Sequence, residues 1–528
     1  MIRPSGSWWH SQAIGMAIIL SACGDAGPAF LPQYDAFDLH IANALIVDGS
    51  GNEARHGDVL VDDGIIVYVG ETALSDTQLN DRVERRIDAN GRVVSPGFID
   101  LHAHGDPLEN PGFENFLAMG VTTITLGQDG SSPMVASLRE WLQEVSDAGI
   151  GPNIAMFVGH GTLRDMAGIG RDRNPDAESM AGMLTLLERE LAFTFGLSTG
   201  LEYNPGLNAD TAELQAMAKI VGARDRMIMS HIRNEDDDQI VSSIAELLEQ
   251  GQYARVHIAH LKSVHGKGAA RANEILQLLA AAREKGVRIT ADVYPYNASY
   301  TTIAIVFPAW AKTDEDLAIA VAQRRDELED YLRKRIESRN GPEATLLGTE
   351  PYTGKTLAQL AHERELPFED VLIDEIGPTG ASGAYFVMND ELQSRLIIDE
   401  FVGISSDGRQ TGFHPRGHGT FAKIIERFVL EDGLLSLPEA IRKMTAFPAS
   451  VLGIEDRGLV EEGMAADLLI FDPAAVRATA TYPEPHQLAQ GFDVVIVNGR
   501  IARENDEMGQ VLHGEVLLPP LLPGITND

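Results

Sequence analysis

Ser95-Pro96-Gly97-Phe98-Ile99-Asp100-Leu101-His102-Ala103-His104 is the stretch whose reading decides the fold. An apolar run ends in two histidines spaced two apart, and on a strand such residues share a face, so both imidazoles point the same way. Imidazole is the commonest protein ligand for zinc-class metals. A run this apolar reads as a buried barrel strand that delivers His102 and His104 at its C-terminal end, where the active sites of such barrels gather. A lone His-x-His also arises by chance or in core packing. The residues downstream decide between the two.

Residues 96–450 alternate apolar β-like runs with helical patterns, as a parallel barrel requires. Candidate strands run Phe98 to His104, Thr122 to Gly127, Ile154 to His160, Gly196 to Thr199, Met227 to His231, Val256 to His260, Val287 to Tyr294 and Val402 to Asp407. Helical spacers with apolar residues three to four apart include Asp210 to Ala223, Gln239 to Gln250 and Ala270 to Lys285. The stretch at about 313–400 exceeds a plain connection and reads as an inserted helical segment.

Outside the barrel, residues 38–95 and 451–515 carry short β-rich runs punctuated by Asp-Gly and Asn-Gly turns. They predict one small β-sandwich domain built from both ends of the chain, followed by a tail at 516–528. The fold class expected is therefore α/β, a TIM-like (β/α)8 barrel inserted into that β domain.

Chemistry-bearing residues sit at the predicted strand ends. His102 and His104 end the first strand, Asp129 follows the second, His231 ends the fifth, His260 the sixth, and Asp407 the eighth. Nitrogen and oxygen ligands from several strands leave a coordination position for water, which a catalytic zinc site needs. Any one of these residues alone has a structural explanation. Their shared placement at strand ends, in order, predicts a metal site.

The ordered blocks Pro96 to Asp106, Gly120 to Ser132, Gly159 to Arg164, Gly196 to Gly206, His231-Ile232-Arg233-Asn234-Glu235, Ile258 to Lys262, Asp292 to Ser299, Ser405 to Gly408, His414 to Phe421 and Thr445 to Gly453 resemble the N-acyl-D-amino-acid deacylases (D-aminoacylases) of the amidohydrolase superfamily. The resemblance covers nearly everything from Asp38 to Asn498. It implies a hydrolase of linear amides, with zinc as one or two divalent ions, acting on a small N-acyl amino acid. It further implies that His102 and His104 hold a more exposed metal and that His231 and His260 hold a tighter one. Asp407 matches the superfamily's acid, and a carboxylate beside a metal-activated water is placed to take its proton and pass it to the departing amine. Lys262 matches the carboxylate-binding lysine, Arg416 is the second cation near that carboxylate, and Tyr203 and Tyr294 are candidate hydroxyl donors.

At Gly127-Gln128-Asp129-Gly130 the chain departs from the best-known members, which carry a bridging cysteine there. Asp129 occupies the place. A carboxylate bridges metals as thiolate does but is harder, which shifts preference away from purely zinc. The alternative is that Gln128 points inward and Asp129 caps a turn. Two other activities fit the same residues: a dipeptidase-like hydrolase of D-residue-containing peptides, and a non-catalytic binding lipoprotein.

Bulk properties bound these readings. The chain has 528 residues, 44% hydrophobic and 23% charged, with a formal net charge of −36. Such acidity excludes a phosphate-backbone partner, so no nucleic acid is expected. Residues 13–20 form an apolar run too short to span a bilayer, and Leu20-Ser21-Ala22-Cys23 closes it in the manner of a bacterial lipobox. The expectation is a signal peptide over 1–22, a lipidated Cys23, a linker over 23–37, and a protein tethered to the bacterial cell envelope, facing periplasm or exterior. Cys23 is the only cysteine, so neither a catalytic thiol in the folded body nor an internal disulfide is available.

Overall fold

The computed structural model describes residues 36–71 and 81–520. Cys23 and the leader lie outside the described residues. Eight parallel strands form the central barrel: Phe98–Asp100, Val121–Leu126, Asn153–Gly159, Gly196–Gly200, Met227–His231, Arg255–Ile258, Ile289–Val293 and Val402–Ile404. Each pairs with the next in sequence order. Nearly every residue in them is buried, because helices cover the outside and side chains fill the inside.

The ring closes between its first and last strands just beyond their regular ladders. Ala103 bridges Gly408, His104 N–H donates to the Gly408 carbonyl at 2.8 Å, and Asp407 N–H donates to the His102 carbonyl at 2.8 Å. The closing seam therefore carries His102, His104 and Asp407 themselves. Asp100 reinforces it, accepting from His102 N–H at 3.1 Å and from Ser406 N–H at 3.0 Å.

The two ends of the chain meet in one nine-stranded sheet, which is the expected small β domain. Val93–Pro96 pairs antiparallel with Leu468–Phe471, so a strand from each half meets directly before the chain enters the first barrel strand. Tight hairpins fall where expected: Asp63-Gly64 and Asn498-Gly499 each have two consecutive positive φ values, 48° and 76° in the first, 48° and 75° in the second. That geometry suits a two-residue hairpin loop, and only Gly, Asn and Asp adopt it readily. Beyond the sheet, Val516–Leu517 lies parallel to the third barrel strand.

The segment after the seventh barrel strand is more than helical. A three-stranded antiparallel sheet, Ser299–Thr302, Ser382–Tyr385 and Thr345–Leu347, supports the long helix Asp314–Ser338. Its own core contains Phe307, Leu328, Leu332, Ile336 and Tyr385. Strands of three or four residues are too short to display an alternating pattern, so the sequence shows only the helices.

Candidate metal centre and its cavity

Six side chains converge above the C-terminal end of the barrel. His102 Nε2 lies 3.3 Å from His104 Nε2 and 3.4 Å from Asp129 Oδ1, and His104 Nε2 lies 3.2 Å from Asp407 Oδ1. On the other side of Asp129, His260 Nε2 stands 3.2 Å from Asp129 Oδ1 and 3.1 Å from His231 Nδ1. Two clusters result, His102–His104–Asp129–Asp407 and Asp129–His231–His260, with Asp129 common to both.

These spacings fit a metal. Zinc bonds of about 2.0–2.1 Å in tetrahedral array put neighbouring ligand atoms about 3.3 Å apart, and the separations here fall at or near that edge. Facing imidazole nitrogens satisfy one another poorly, since neutral rings share few protons and charged rings repel. A shared cation satisfies them all.

The backbone is bent to achieve this. Asp129, His260 and Asp407 all have left-handed φ, at 54°, 38° and 48°. Non-glycine residues held in this region cost free energy and cluster at functional sites. Gln128 is turned away, its amide donating to the Leu101 carbonyl at 3.3 Å and to Thr125 Oγ1 at 3.0 Å. Asp129 is the one of the pair that faces the histidines.

Burial opposes ionisation of Asp129, but His102, His104 and His260 outweigh it and hold the carboxyl well below its usual range. For Asp407 burial is likewise overcome, here by the Arg416 guanidinium at 2.6 Å and by His260. Both carboxylates are thus anionic and able to accept.

The clusters open into a cavity of ≈ 740 Å³. Lys262, Arg416, Tyr203 and Tyr294 all line it. Lys262 Nζ contacts Glu235 Oε1 at 2.6 Å and His260 Nδ1 at 2.8 Å. Burial disfavours the ammonium, but Glu235 prevails and keeps it charged. Tyr294 presents its ring to both cations, 5.8 Å from Lys262 Nζ and 5.0 Å from the Arg416 guanidinium carbon. Burial pushes its hydroxyl up to about 12, so it remains a donor at neutral pH. Tyr203 packs its ring 4.5 Å from that of His231 and accepts from Thr301 Oγ1 at 3.3 Å.

Four carboxylates around the site were not singled out from sequence. Glu202 Oε2 lies 3.2 Å from His231 Nε2, and Glu235 Oε1 lies 3.3 Å from His260 Nδ1. Each lies at the nitrogen opposite the one that faces the cluster, Glu202 alone on His231 and Glu235 together with Lys262 on His260, which orients both rings. Asp292 accepts from His260 N–H at 2.7 Å, and Asp100 does the same for His102. The available signal was an acid within two to four residues of a histidine, or at the end of a neighbouring strand.

An amidohydrolase family profile matches residues 359–503. The N-acyl-D-aspartate deacylase of Alcaligenes xylosoxydans xylosoxydans is 31% identical over 512 residues, which is 91% of this chain and 95% of that one. The chain belongs to the N-acyl-D-amino-acid deacylase family of amidohydrolases. The N-acyl-D-glutamate deacylase of the same organism is 30% identical over 88% of this chain and 93% of its own. In three dimensions, the N-acyl-D-glutamate deacylase of Bordetella bronchiseptica, solved with zinc and a phosphonate mimic of the tetrahedral intermediate, superposes with a TM-score of 0.80 at 28% identity, covering 92% of this chain and all of that one. For a deacylase-family member, the polar, metal-ready end of the barrel is the expected place for chemistry.

Proposed function

We propose that this chain removes the acyl group from N-acyl-D-amino acids, with His102, His104, Asp129, His231 and His260 as metal ligands. The observation that carries the reading is the sharing of Asp129 between two clusters of imidazole at metal-ligand spacing, beside a cavity whose lining includes the cations Lys262 and Arg416. A divalent ion of the zinc class, one or two of them, supplies a coordinated water of lowered pKa and polarises the amide carbonyl.

The chain's own residues do the rest. Asp407, anionic and in contact with His104, accepts the proton of the attacking water and returns it to the leaving amine. Arg416 and Lys262 hold the substrate α-carboxylate, the first as a planar fork and the second as a point charge, with the Tyr294 hydroxyl as a further donor. Tyr203, beside His231, is placed to donate to the carbonyl oxygen as it gains charge. In the resting arrangement Asp407 and Glu235 occupy these cations. Substrate shares them, and protein carboxylates keep the cations aimed until it arrives.

The test is hydrolysis of N-acetyl-D- and N-acetyl-L-amino acids by the purified chain, with its metal content measured alongside. D-substrates should be cleaved, activity should vanish on chelation, and zinc should restore it. Equal cleavage of L-substrates, or activity indifferent to chelator, would contradict the reading.

We also propose that residues 1–22 are a lipoprotein signal peptide and that Cys23 carries the lipid that ties the protein to the cell envelope. Support comes from the lipobox-like Leu20-Ser21-Ala22-Cys23 after a short apolar run. No helix among the described residues is long and apolar enough to cross a membrane. Cys23→Ala should shift the protein out of the membrane fraction or leave the leader uncleaved. Wild-type protein found in the soluble fraction with residues 1–22 intact would refute the anchor.

A further inference from the structure

Arginines stand at the start of three successive barrel strands. Arg226 immediately precedes Met227–His231, Arg255 opens Arg255–Ile258, and Arg288 immediately precedes Ile289–Val293. Pairing sets Met227 opposite Arg255 and Val256 opposite Ile289, so the three side chains leave neighbouring positions on one rim. That rim is the N-terminal end of the barrel, the end away from the metal centre. All three line a second cavity there, of ≈ 260 Å³, together with the end of the helix Ala446–Leu452 and the segment Pro519-Pro520.

Their charges are poorly matched. Arg226 is buried and Arg255 half-buried, yet among the described residues neither has an ion pair. Arg226 donates to the Leu191 carbonyl at 3.3 Å through Nε and to the Pro520 carbonyl at 3.0 Å through Nη2. Arg255 donates to the carbonyls of Val451 at 3.0 Å and Asp225 at 3.4 Å, while its buried Nε has no partner among the described residues. Backbone carbonyls carry partial charge only. Two acids reach the cavity, Asp225 and Glu455, and both are exposed; among the described residues the only ion pair they make with these arginines is Arg288 with Asp225 at 3.8 Å.

Burial draws the Arg226 and Arg255 guanidiniums below their ordinary pKa, Asp225 pulls the other way, and neighbouring arginines add to the effect of burial. A lysine so placed sheds its proton readily, but a guanidinium stays charged. The cost of a buried, unpaired cation therefore stands until an anion meets it. Three forked donors around one cavity suit an anion that presents several oxygens, whereas a carboxylate offers two oxygens and one charge. The volume lies just below the range of about 300–1,000 Å³ typical of drug-sized ligand sites, which suits an ion or a small ester.

We propose that Arg226, Arg255 and Arg288 form a binding site for a phosphate-class oxyanion at the N-terminal end of the barrel, remote from the chemistry. Two sources share that chemistry: free inorganic phosphate, and the phosphate of a small monoester such as glycerol phosphate. The bound anion ties the barrel rim to the Pro519-Pro520 segment and to the end of Ala446–Leu452, on the face of such barrels that serves stability.

The experiment is calorimetric titration of the zinc-loaded full chain, at fixed ionic strength, with inorganic phosphate, glycerol phosphate and acetate, repeated on Arg255→Gln and Arg288→Gln. One of the phosphates should bind at least about tenfold tighter than acetate, and each substitution should weaken it by about tenfold, as loss of a charge-assisted hydrogen bond does. Whichever phosphate binds tighter identifies the source. Phosphate held at the metal centre would be untouched by either substitution, so unchanged affinity in the variants overturns the proposal. Failure of both phosphates to bind, or acetate binding as tightly, overturns it as well. Arg288 is exposed, so Arg288→Gln decides if Arg255→Gln does not fold. Heat denaturation gives a second readout: phosphate should raise the wild-type Tm more than that of Arg288→Gln, and an equal rise counts against the site. Neither measurement involves hydrolysis, so the result stands apart from the deacylase reading.

Discussion

Asp407 shows how much one residue's surroundings decide. The same carboxylate touches His104 at 3.2 Å through one oxygen and Arg416 at 2.6 Å through the other, so its anionic state is fixed while its proton-accepting edge faces the cluster. Asp407→Asn preserves the shape and removes the base. Turnover should fall by about 10²–10⁴-fold, with most metal retained through the remaining histidines and Asp129. Single-turnover rates with parallel metal analysis check this, and an Asn variant above about a tenth of wild-type rate would remove Asp407 from the proton path. The ligand-type residues were legible in the sequence because few residue types bind metal and their positions track strand ends. Glu202, Glu235, Asp100 and Asp292 were not, because an acid that orients a histidine looks like any other acid until the fold sets it 3 Å or so from the ring or amide it holds.

At the scale of elements, the turn after the second barrel strand carries the most constraint. Asp129 reaches the histidines from a left-handed backbone, and neighbouring strand ends lie directly against it. A Cβ on Gly200 would sit 2.1 Å from the Asp129 carbonyl oxygen, and one on Gly159 would sit 2.5 Å from that of Gly130. Both obstacles are backbone, which does not rotate aside. Gly200→Ala should therefore displace the turn and weaken metal binding without deleting any ligand, at a cost of about 1–3 kcal/mol in stability. Zinc titration and urea unfolding measure the two effects, and wild-type zinc affinity in Gly200→Ala would show that the turn is free to adjust. Most of the barrel strands were readable because apolar runs end in polar residues, whereas Gly196–Gly200 carries Ser198 and Thr199 within the strand. The sheet within the inserted segment was not, since its strands, such as Thr345–Leu347, are too short for a period to show.

At the scale of the molecule, barrel and two-ended sheet are joined through a buried ion pair. Asp467 lies 3.1 Å from Arg457 Nε, and its carboxylate also accepts from Asn153 Nδ2 at 2.9 Å and from Asn498 N–H at 2.7 Å. Asn153 opens the third barrel strand, while Asn498 sits in a hairpin of the sheet. Asp467 itself immediately precedes Leu468–Phe471, the strand that pairs with the chain's entry into the barrel. One carboxylate thereby fixes barrel, hairpin and entry strand in a single network from which water is excluded. Asp467→Asn keeps the size but removes the buried one of Arg457's carboxylate partners, leaving only the exposed Asp456 at 2.9 Å and Glu515 at 3.8 Å, so stability should fall by about 1–3 kcal/mol. The double variant Asp467→Asn with Arg457→Met removes both buried charges and should recover much of that loss, because the penalty comes from a buried guanidinium left with exposed partners only rather than from the missing attraction. Urea unfolding of the single and double variants decides it. A double variant no more stable than the single would mean that the hydrogen bonds to Asn153 and Asn498, and not the paired charge, hold the two halves together.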